Sequence, residues 1–454
     1  MVNNRLFQQL IFWGVWIIIP LLWEIFIGII SAGIVLVNRL KYKSIALEFY
    51  PVVTLIIPVF NSSAILPMCL KSITDQDYPL EKLEVILIDN GSKDSSYEIF
   101  KAFQKENQNI KTWWYTSKQG KAKALNKGIF CSTGKYVVNI DSDGWLHHKA
   151  IKNIVENFER DETISAMTGV VLIDHKQIED NSKNRLLTFL RRCEFAEYIE
   201  TFLIGRNYQS TFNRMYTLAG AFSCFRREVI AKTSLYNFET VGEDTHMTYQ
   251  LRKSDLGKIL LCSNAFLYVD PIENLDKLYT QRQRWQRGEL EVAKLYEEMH
   301  LDSIKRFFKN FTMRIIVSDH TLAFPRLIWF FGMIYLYFIN YPLKLLVGAN
   351  VLIYLLYVFN SFVYILVSGL FLKDQQAVRK YSNANWYVCF LMPIYRFLIF
   401  WMRIAGIINS ITMDSMWKGN TFSGEIEVIK EEVKKDINKG LPIIKTIRKV
   451  LNNE

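Results

Sequence analysis

Cysteine is scarce and unpaired in this chain: Cys69, Cys131, Cys193, Cys224, Cys262 and Cys389 stand singly among 454 residues. That excludes the closely spaced ligands of a structural zinc site and the framework of a small disulfide-stapled domain, so the thiols read as reduced, buried or facing the cytosol. No zinc-finger, RNA-recognition or helix-turn-helix signature accompanies the net charge of +11. Lys and Arg cluster beside apolar runs instead, which favours a membrane face and anionic phosphates over nucleic acid as partners. The first apolar stretch is followed by no small-residue cleavage site with soluble sequence behind it, which argues for an uncleaved anchor. What is plentiful is apolar surface, with 50% of residues hydrophobic and 14% aromatic. Such a chain can bury a large core and still commit surface to lipid.

From Gln9 to Val37 the sequence is almost unbroken apolar residue, roughly 29 positions against the ~20 that a spanning helix needs. A kink is expected at Pro20, and Glu24, costly in lipid, is expected to face protein. Arg39, Lys41 and Lys43 follow this stretch and Arg5 precedes it, so the positive-inside rule puts the following domain in the cytoplasm and the N-terminus outside. Residues 1–45 are thus a transmembrane anchor. Leu322 to Asn340 and Leu345 to Leu372, split by Tyr341-Pro342, suit a helical hairpin, and Lys373, Arg379 and Lys380 after it again indicate the inside. Residues 299–321 ahead of it are taken as an interfacial amphipathic segment. A third stretch, Trp386 to Thr412, carries Arg396 and Arg403 seven apart on one helical face. It reads either as a third span or as an interfacial helix with both arginines toward headgroups. The interfacial reading keeps the Lys/Glu-rich tail, residues 413–454, in the cytoplasm. The expected location is the cell membrane, multi-pass, with the lipid bilayer as a partner.

Between these parts, residues 51–298 alternate β-branched runs with helical patterns, the mark of a mostly parallel sheet covered by helices. A strand from Val52 leads to a helix from about Ala64 to Ile73. The next strand, Leu83 to Asp89, stops at Asn90-Gly91-Ser92-Lys93-Asp94. Ligands bind at the carboxyl ends of such strands, which places Asp89 where a base or ribose could be read, although a capping loop has the same composition. Lys118 to Asn126 puts Lys118, Lys121, Lys123 and a glycine at a helix entrance suited to phosphate, with a solvated basic face as the alternative. Asp141-Ser142-Asp143 ends a Val- and Ile-rich strand, and a hard divalent cation would relieve the repulsion of its two carboxylates. A capped turn is the plainer reading of that triplet. His147 and His148 are placed at the start of the next helix. Leu218 to Arg226 is a small-residue turn into a strand, and Gly242-Glu243-Asp244 starts a helix in which Asp244 is a cap or a base aimed into the cleft.

An Asp-Asn-Gly-Ser turn, a Gly-Lys-Ala-Lys-Ala-Leu-Asn segment, Asp-Ser-Asp, a Gly-Ala-Phe turn, Gly-Glu-Asp and the Gln281–Trp285 segment follow one another in this order. Together they resemble glycosyltransferase family 2, most closely its membrane-embedded polysaccharide synthases of the hyaluronan, poly-N-acetylglucosamine and cellulose type. A Gram-positive branch associated with exosortase-type sorting systems is the nearest in character. The resemblance implies a GT-A-type α/β domain flanked by transmembrane and interfacial helices. It implies that Asp89 contacts uracil or ribose, that Lys121 and Glu243 sit near the substrate, and that Asp141 and Asp143 hold the diphosphate through Mg2+ or Mn2+. Asp244 would be the general base, and Gln281, Arg284 and Trp285 would line the diphosphate and acceptor end. Two positions depart from the pattern: Asn90 stands where many relatives have a second Asp, and Val241-Gly242 stands where a Thr often precedes Glu-Asp. Trp417 to Thr421 holds the place of a gating segment.

An inverting transfer needs one carboxylate to take the acceptor proton, and no acid if metal and Arg284 stabilise the departing diphosphate. Trp285 offers a flat face to a sugar ring, or else belongs to a membrane-interface belt. The expected activity is metal-dependent elongation of a β-linked polysaccharide from a UDP-sugar donor. Transfer of one sugar to a lipid-linked acceptor is the alternative, and a catalytically silent sensor is a third reading that the intact carboxylate set opposes.

Overall fold

The computed structural model describes residue 11, residues 27–41, 47–179, 184–295 and 323–412, and residues 421, 423 and 424. The expectations for Arg5, Pro20, Glu24, Lys43, the 299–321 segment, Trp417 to Asn420 and nearly all of the 413–454 tail lie outside these residues.

After α1 (Ile27–Lys41), the chain runs through β1 (Val53–Val59), α2 (Leu66–Thr74), β2 (Leu83–Asp89), α3 (Ser96–Glu106), β3 (Lys111–Thr116), α4 (Lys121–Cys131), β4 (Tyr136–Ile140), β5 (Gly144–Leu146), α5 (Ala150–Arg160) and β6 (Ile164–Ile173). Then come α6 (Arg185–Tyr198), a π-helical turn (Ile199–Gly205), α7 (Arg206–Thr211), β7 (Phe222–Arg226), α8 (Arg227–Ile230), α9 (Glu243–Lys253), β8 (Lys258–Val269) and α10 (Leu275–Leu295). Four apolar or amphipathic helices follow: α11 (Ala323–Phe338), α12 (Leu343–Phe371), α13 (Gln376–Ala384) and α14 (Val388–Thr412).

The strands form one eight-stranded sheet in the order β3-β2-β1-β4-β7-β6-β8-β5. β3, β2, β1 and β4 are mutually parallel, β6 and β8 are parallel, and β7 and β5 run against their neighbours. Alternation along each central strand feeds two cores, one per face of the sheet. Leu55, Ile57, Val85, Leu87 and Val138 join the core beneath α2 and α5, while Ile56, Ile86, Ile88 and Val137 join the one beneath α4. Burial on both faces explains why β1, β2 and β4 read as continuous apolar runs. In α5, Ile151, Ile154, Val155 and Phe158 recur at helical spacing and form its buried stripe.

This fold is an α/β, GT-A-like, mostly parallel sheet followed by long apolar helices. Its strand order changes direction between β1 and β4, where ligands of open α/β sheets bind. There the loops after the two strands touch through Ser62 Oγ and Ser142 Oγ, 2.8 Å apart. One local expectation is corrected. His147 and His148 precede the helix rather than begin it: α5 starts at Ala150, and the His147 N–H is already committed to the Phe266 carbonyl at 2.9 Å.

Among the described residues, Leu343–Asp374 and Val388–Ser410 are long and apolar enough to cross a membrane, and Gly28–Asn38 and Arg326–Phe338 are shorter apolar helices. Ile328, Phe338 and Leu366 are 73%, 73% and 75% exposed, so among the described residues these helices present an uncovered apolar surface. The break at Tyr341-Pro342 falls between α11 and α12 as expected. The arginines of α14 do not face headgroups. Arg396 pairs with Glu200 in the π-helical turn, and Arg403, fully buried, donates to Gln286 Oε1 at 3.0 Å. Gly406 lets α14 approach closely, since a Cβ there would lie 3.0 Å from the Gln283 carbonyl. Thus α14 is fastened onto α10 through the face that the interfacial reading turned toward headgroups.

Candidate active site

The site grows from the ends of β2 and β4. Asp89 closes β2, and its Oδ1 accepts from the Ser92 N–H at 2.9 Å, so its carboxylate organises the following turn. Asn90 is buried, and with its amide assigned to satisfy both sides, its nitrogen donates to Ser117 Oγ (2.9 Å), the Lys118 carbonyl (3.2 Å) and the Gly120 carbonyl (3.3 Å). An aspartate could not donate these bonds. The asparagine that departs from the family pattern therefore ties the β2 turn to the lysine-rich loop.

That loop ends at Gly120, whose φ of 131° suits only glycine, and α4 begins with Lys121. Lys121 Nζ lies 2.5 Å from Asp141 Oδ1 and 3.3 Å from the Gly220 carbonyl. Burial pushes its ammonium down, but the carboxylates of Asp141 and Glu243 more than reverse this and hold it above its usual range. Lys123 turns away, its ammonium 5.4 Å from the Phe238 ring centre.

Asp141 and Asp143 lie in the turn between β4 and β5, closed by the Gly144 N–H donating to the Asp141 carbonyl at 3.1 Å. Asp143 reaches solvent in the cleft, yet loss of surrounding water, and then the charge of Asp141, push its carboxyl upward. Among the described residues no group of three or more His, Cys, Asp or Glu side chains could by itself cage a metal ion. A crowded pair of this kind fits a magnesium or manganese ion that takes its other ligands from phosphate oxygens and water.

On the opposite side of Gly220, its N–H donates to Asp244 Oδ2 at 3.2 Å. A Cβ on Gly220 would lie 3.3 Å from that oxygen and 3.6 Å from Lys121 Nζ, so one glycine separates the lysine–aspartate pair from Asp244. Glu243 and Asp244 open α9, whose Thr248 Oγ1 accepts from the Leu218 N–H at 2.9 Å and thereby docks the small-residue turn. Burial, reinforced by Asp244 and opposed by Lys121, holds the Glu243 carboxyl above its ordinary value.

Helix α10 meets this cluster through a glycine contact that the sequence did not disclose. A Cβ on Gly242 would lie 2.7 Å from the Gly288 carbonyl, and one on Gly288 would lie 2.8 Å from Gly242 Cα. The two backbones touch, and Glu291 braces them by accepting from the Val241 N–H (2.9 Å) and from Arg287 Nε (2.7 Å). Arg284 thereby enters the electrostatic range of Lys121, Asp143 and Glu243. Gln281 accepts from Arg282 Nη1 at 2.6 Å instead of facing the cleft directly. Trp285 lies 5.9 Å from Phe202 and 6.3 Å from Tyr198, ring centre to ring centre, with the Arg282 guanidinium 4.2 Å over its face. It is part of an aromatic cage within the fold and not of an interface belt. Arg282, fully buried, pairs with Glu197, and Tyr395 of α14 donates to the same carboxylate at 2.9 Å.

The structure therefore gathers Lys121, Asp141, Asp143, Glu243, Asp244 and Arg284, keeps Asp89 at the neighbouring strand end, and sets Trp285 against Phe202, Tyr198 and Arg282. The roles of Gly288 and Arg282 were not read from the sequence. They depend on partners far along the chain, whereas the small-residue run around Gly220 gave a local signal.

Residues 54–233 match the family model described as glycosyl transferase family 2. The poly-beta-1,6-N-acetyl-D-glucosamine synthase of Staphylococcus epidermidis is 28% identical over 240 residues, covering 53% of this chain and 55% of that protein. The chain thus aligns with about half the length of that relative. The probable glycosyltransferase YdaM of Bacillus subtilis is 26% identical over 351 residues, 75% of this chain and 78% of that one. Among solved structures, a mannosyltransferase of Pyrobaculum calidifontis in complex with GDP-Man and Mn2+ superposes with a TM-score of 0.50 at 17% identity, covering 87% of this chain and 97% of that chain. At that identity the likeness speaks for the fold alone. Motif order, sheet topology and the family match agree, and over residues 54–233 this chain is similar to glycosyltransferase family 2.

Proposed function

We propose that the chain is an inverting glycosyltransferase that draws on a UDP-sugar to elongate a β-linked polysaccharide at the cytoplasmic face of the membrane. The observation that carries this reading is the pairing across Gly220: a lysine at a helix start and two strand-end carboxylates on one side, a carboxylate at another helix start on the other. Asp89 would read the uridine beside β2. Lys121 and Arg284 would hold the diphosphate, and Asp244 would take the proton of the acceptor hydroxyl. The acceptor oxygen then bonds to the anomeric carbon as the bond to the diphosphate breaks, and UDP leaves with the electron pair. Mg2+ or Mn2+ held by Asp141 and Asp143 would neutralise charge on the leaving diphosphate. Glu243 keeps Lys121 charged, and Gln281 steadies Arg282 behind the Trp285 ring. Since Arg282 covers one face of that ring, an acceptor sugar can stack only on the other.

The polymer-forming reading is supported by the likeness to a poly-N-acetylglucosamine synthase and by the apolar helices fastened to α10. Residues 51–298 would be the cytoplasmic catalytic domain, and residues 1–45 and 322–412 the membrane parts. The exosortase-associated branch stays a finer proposal that rests on the sequence resemblance. The test is to offer membrane vesicles a panel of labelled UDP-sugars, UDP-N-acetylglucosamine first, and to size the product. A long product supports this reading, and a single sugar on a lipid supports transfer to a lipid-linked acceptor. Absence of turnover with every donor counts against both.

A further inference from the structure

Within electrostatic range of Asp244 lies a buried charged group with no assigned role, Arg206. Arg206 follows directly on the π-helical turn Ile199–Gly205, a local geometry that recurs at functional sites. It is only 8% exposed, and its guanidinium lies 4.5 Å from the ring centre of Phe202, which in turn touches Trp285. Burial pushes the guanidinium down to about 10, while Tyr216, Asp244 and Glu289 hold it up, so it stays charged near neutrality. Its charge is therefore answered by nearby carboxylates. Its hydrogen-bonding capacity is not: among the described residues, Nη1 has no partner. A buried donor left unmatched is costly, and such a group calls for a partner from outside the fold, whether water, an ion or a ligand.

The chemistry of that ligand follows from the neighbours. A phosphate or carboxylate placed against Arg206 would meet Asp244 and Glu289, and like charges at close range repel. A neutral oxygen supplies the missing acceptor without that conflict. We propose that Arg206 is an acceptor-binding residue, its open guanidinium edge donating to a ring or hydroxyl oxygen of the neutral sugar that Asp244 deprotonates. Phe202 lies against Arg206 and Trp285 against Phe202, so the sugar is held by its edge at Arg206 and by its face at the tryptophan. The assignment rests on the proposed role of Asp244 as base.

The experiment uses the full chain in membrane vesicles, as wild type, Arg206→Gln and Arg206→Lys. Affinities for UDP and for a labelled N-acetylglucosamine tetrasaccharide are measured by equilibrium dialysis, with UDP release from UDP-N-acetylglucosamine as a separate arm. Arg206→Gln should weaken tetrasaccharide binding about 10- to 100-fold, the scale of a hydrogen bond to a charged group. UDP affinity should hold, and Arg206→Lys should recover part of the loss. Equal tetrasaccharide affinity in all three proteins, parallel loss of UDP affinity in both variants, or no tetrasaccharide binding by the wild type would each overturn the assignment. Wild type that binds the tetrasaccharide but releases no UDP from UDP-N-acetylglucosamine counts against transfer from that donor instead, and binding lost in Arg206→Gln still supports Arg206.

Discussion

Replacing Asp244 with Asn leaves an oxygen to accept from the Gly220 N–H, now 3.2 Å away, and removes only the ability to take a proton. Turnover should fall on the order of the 10²–10⁴-fold typical of general-base catalysis, with UDP affinity kept. Near-normal turnover would move the base elsewhere, to Glu243 first. A second prediction concerns Glu194, buried in α6, whose carboxylate accepts from the Ile272 N–H at 3.0 Å. Burial, opposed by Arg282, pushes it from the usual 4.5 to about 7. A folded pKa above the unfolded one stabilises the protein below the unfolded value and loses that contribution as pH rises through the folded one. Thermal unfolding in detergent should therefore show wild type losing stability as pH rises from 4.5 to about 7. Glu194→Gln, which retains an oxygen for Ile272, should flatten that slope, and identical slopes would refute the assignment. At this scale the sequence singles out Asp141, Asp143, Lys121 and Asp244 as candidates because each sits at a strand end or helix start that its own neighbours define. It did not disclose Arg206 or Arg282, since nothing local distinguishes a buried arginine from a solvated one.

At the scale of elements, α9 and α10 are registered by the Gly242–Gly288 contact, and that contact sets the distance from Asp244 to Arg284 and Trp285. Gly288→Ala places a Cβ 2.8 Å from Gly242 Cα, which backbone cannot yield to without moving. The expected cost in stability is about 1–3 kcal/mol, typical of overpacking. Turnover should drop more steeply than the thermal midpoint suggests, because the two helices carry opposite halves of the site. Unchanged kcat in a destabilised protein would show that the register is not critical. The strands were legible in the sequence because burial on both faces writes Val and Ile into continuous runs, as in Leu83 to Asp89. The orientation of α14 was not. Seven-residue spacing tells that Arg396 and Arg403 share a face, but only the positions of Glu200 and Gln286 decide what covers it.

The whole molecule joins the α/β domain to helices suited to lipid, through α14 lying against α10. Metal dependence belongs to this scale, because the donor diphosphate and the protein would share the ion. Turnover should vanish with chelator and return with Mn2+ or Mg2+, and full turnover in chelator would remove Asp141 and Asp143 from that role. Protease added outside intact cells should leave residues 51–298 whole, and cleavage there would reverse the proposed topology. The central claim, that this is a UDP-sugar transferase using Asp244 as base, is tested most directly by UDP release from a panel of UDP-sugars in vesicles carrying wild type or Asp244→Asn. The account predicts release by the wild type from at least one donor and its loss, on the order of 10²–10⁴-fold, in the variant with UDP affinity intact. Equal release by the two proteins, or none by wild type that still binds UDP, would contradict it.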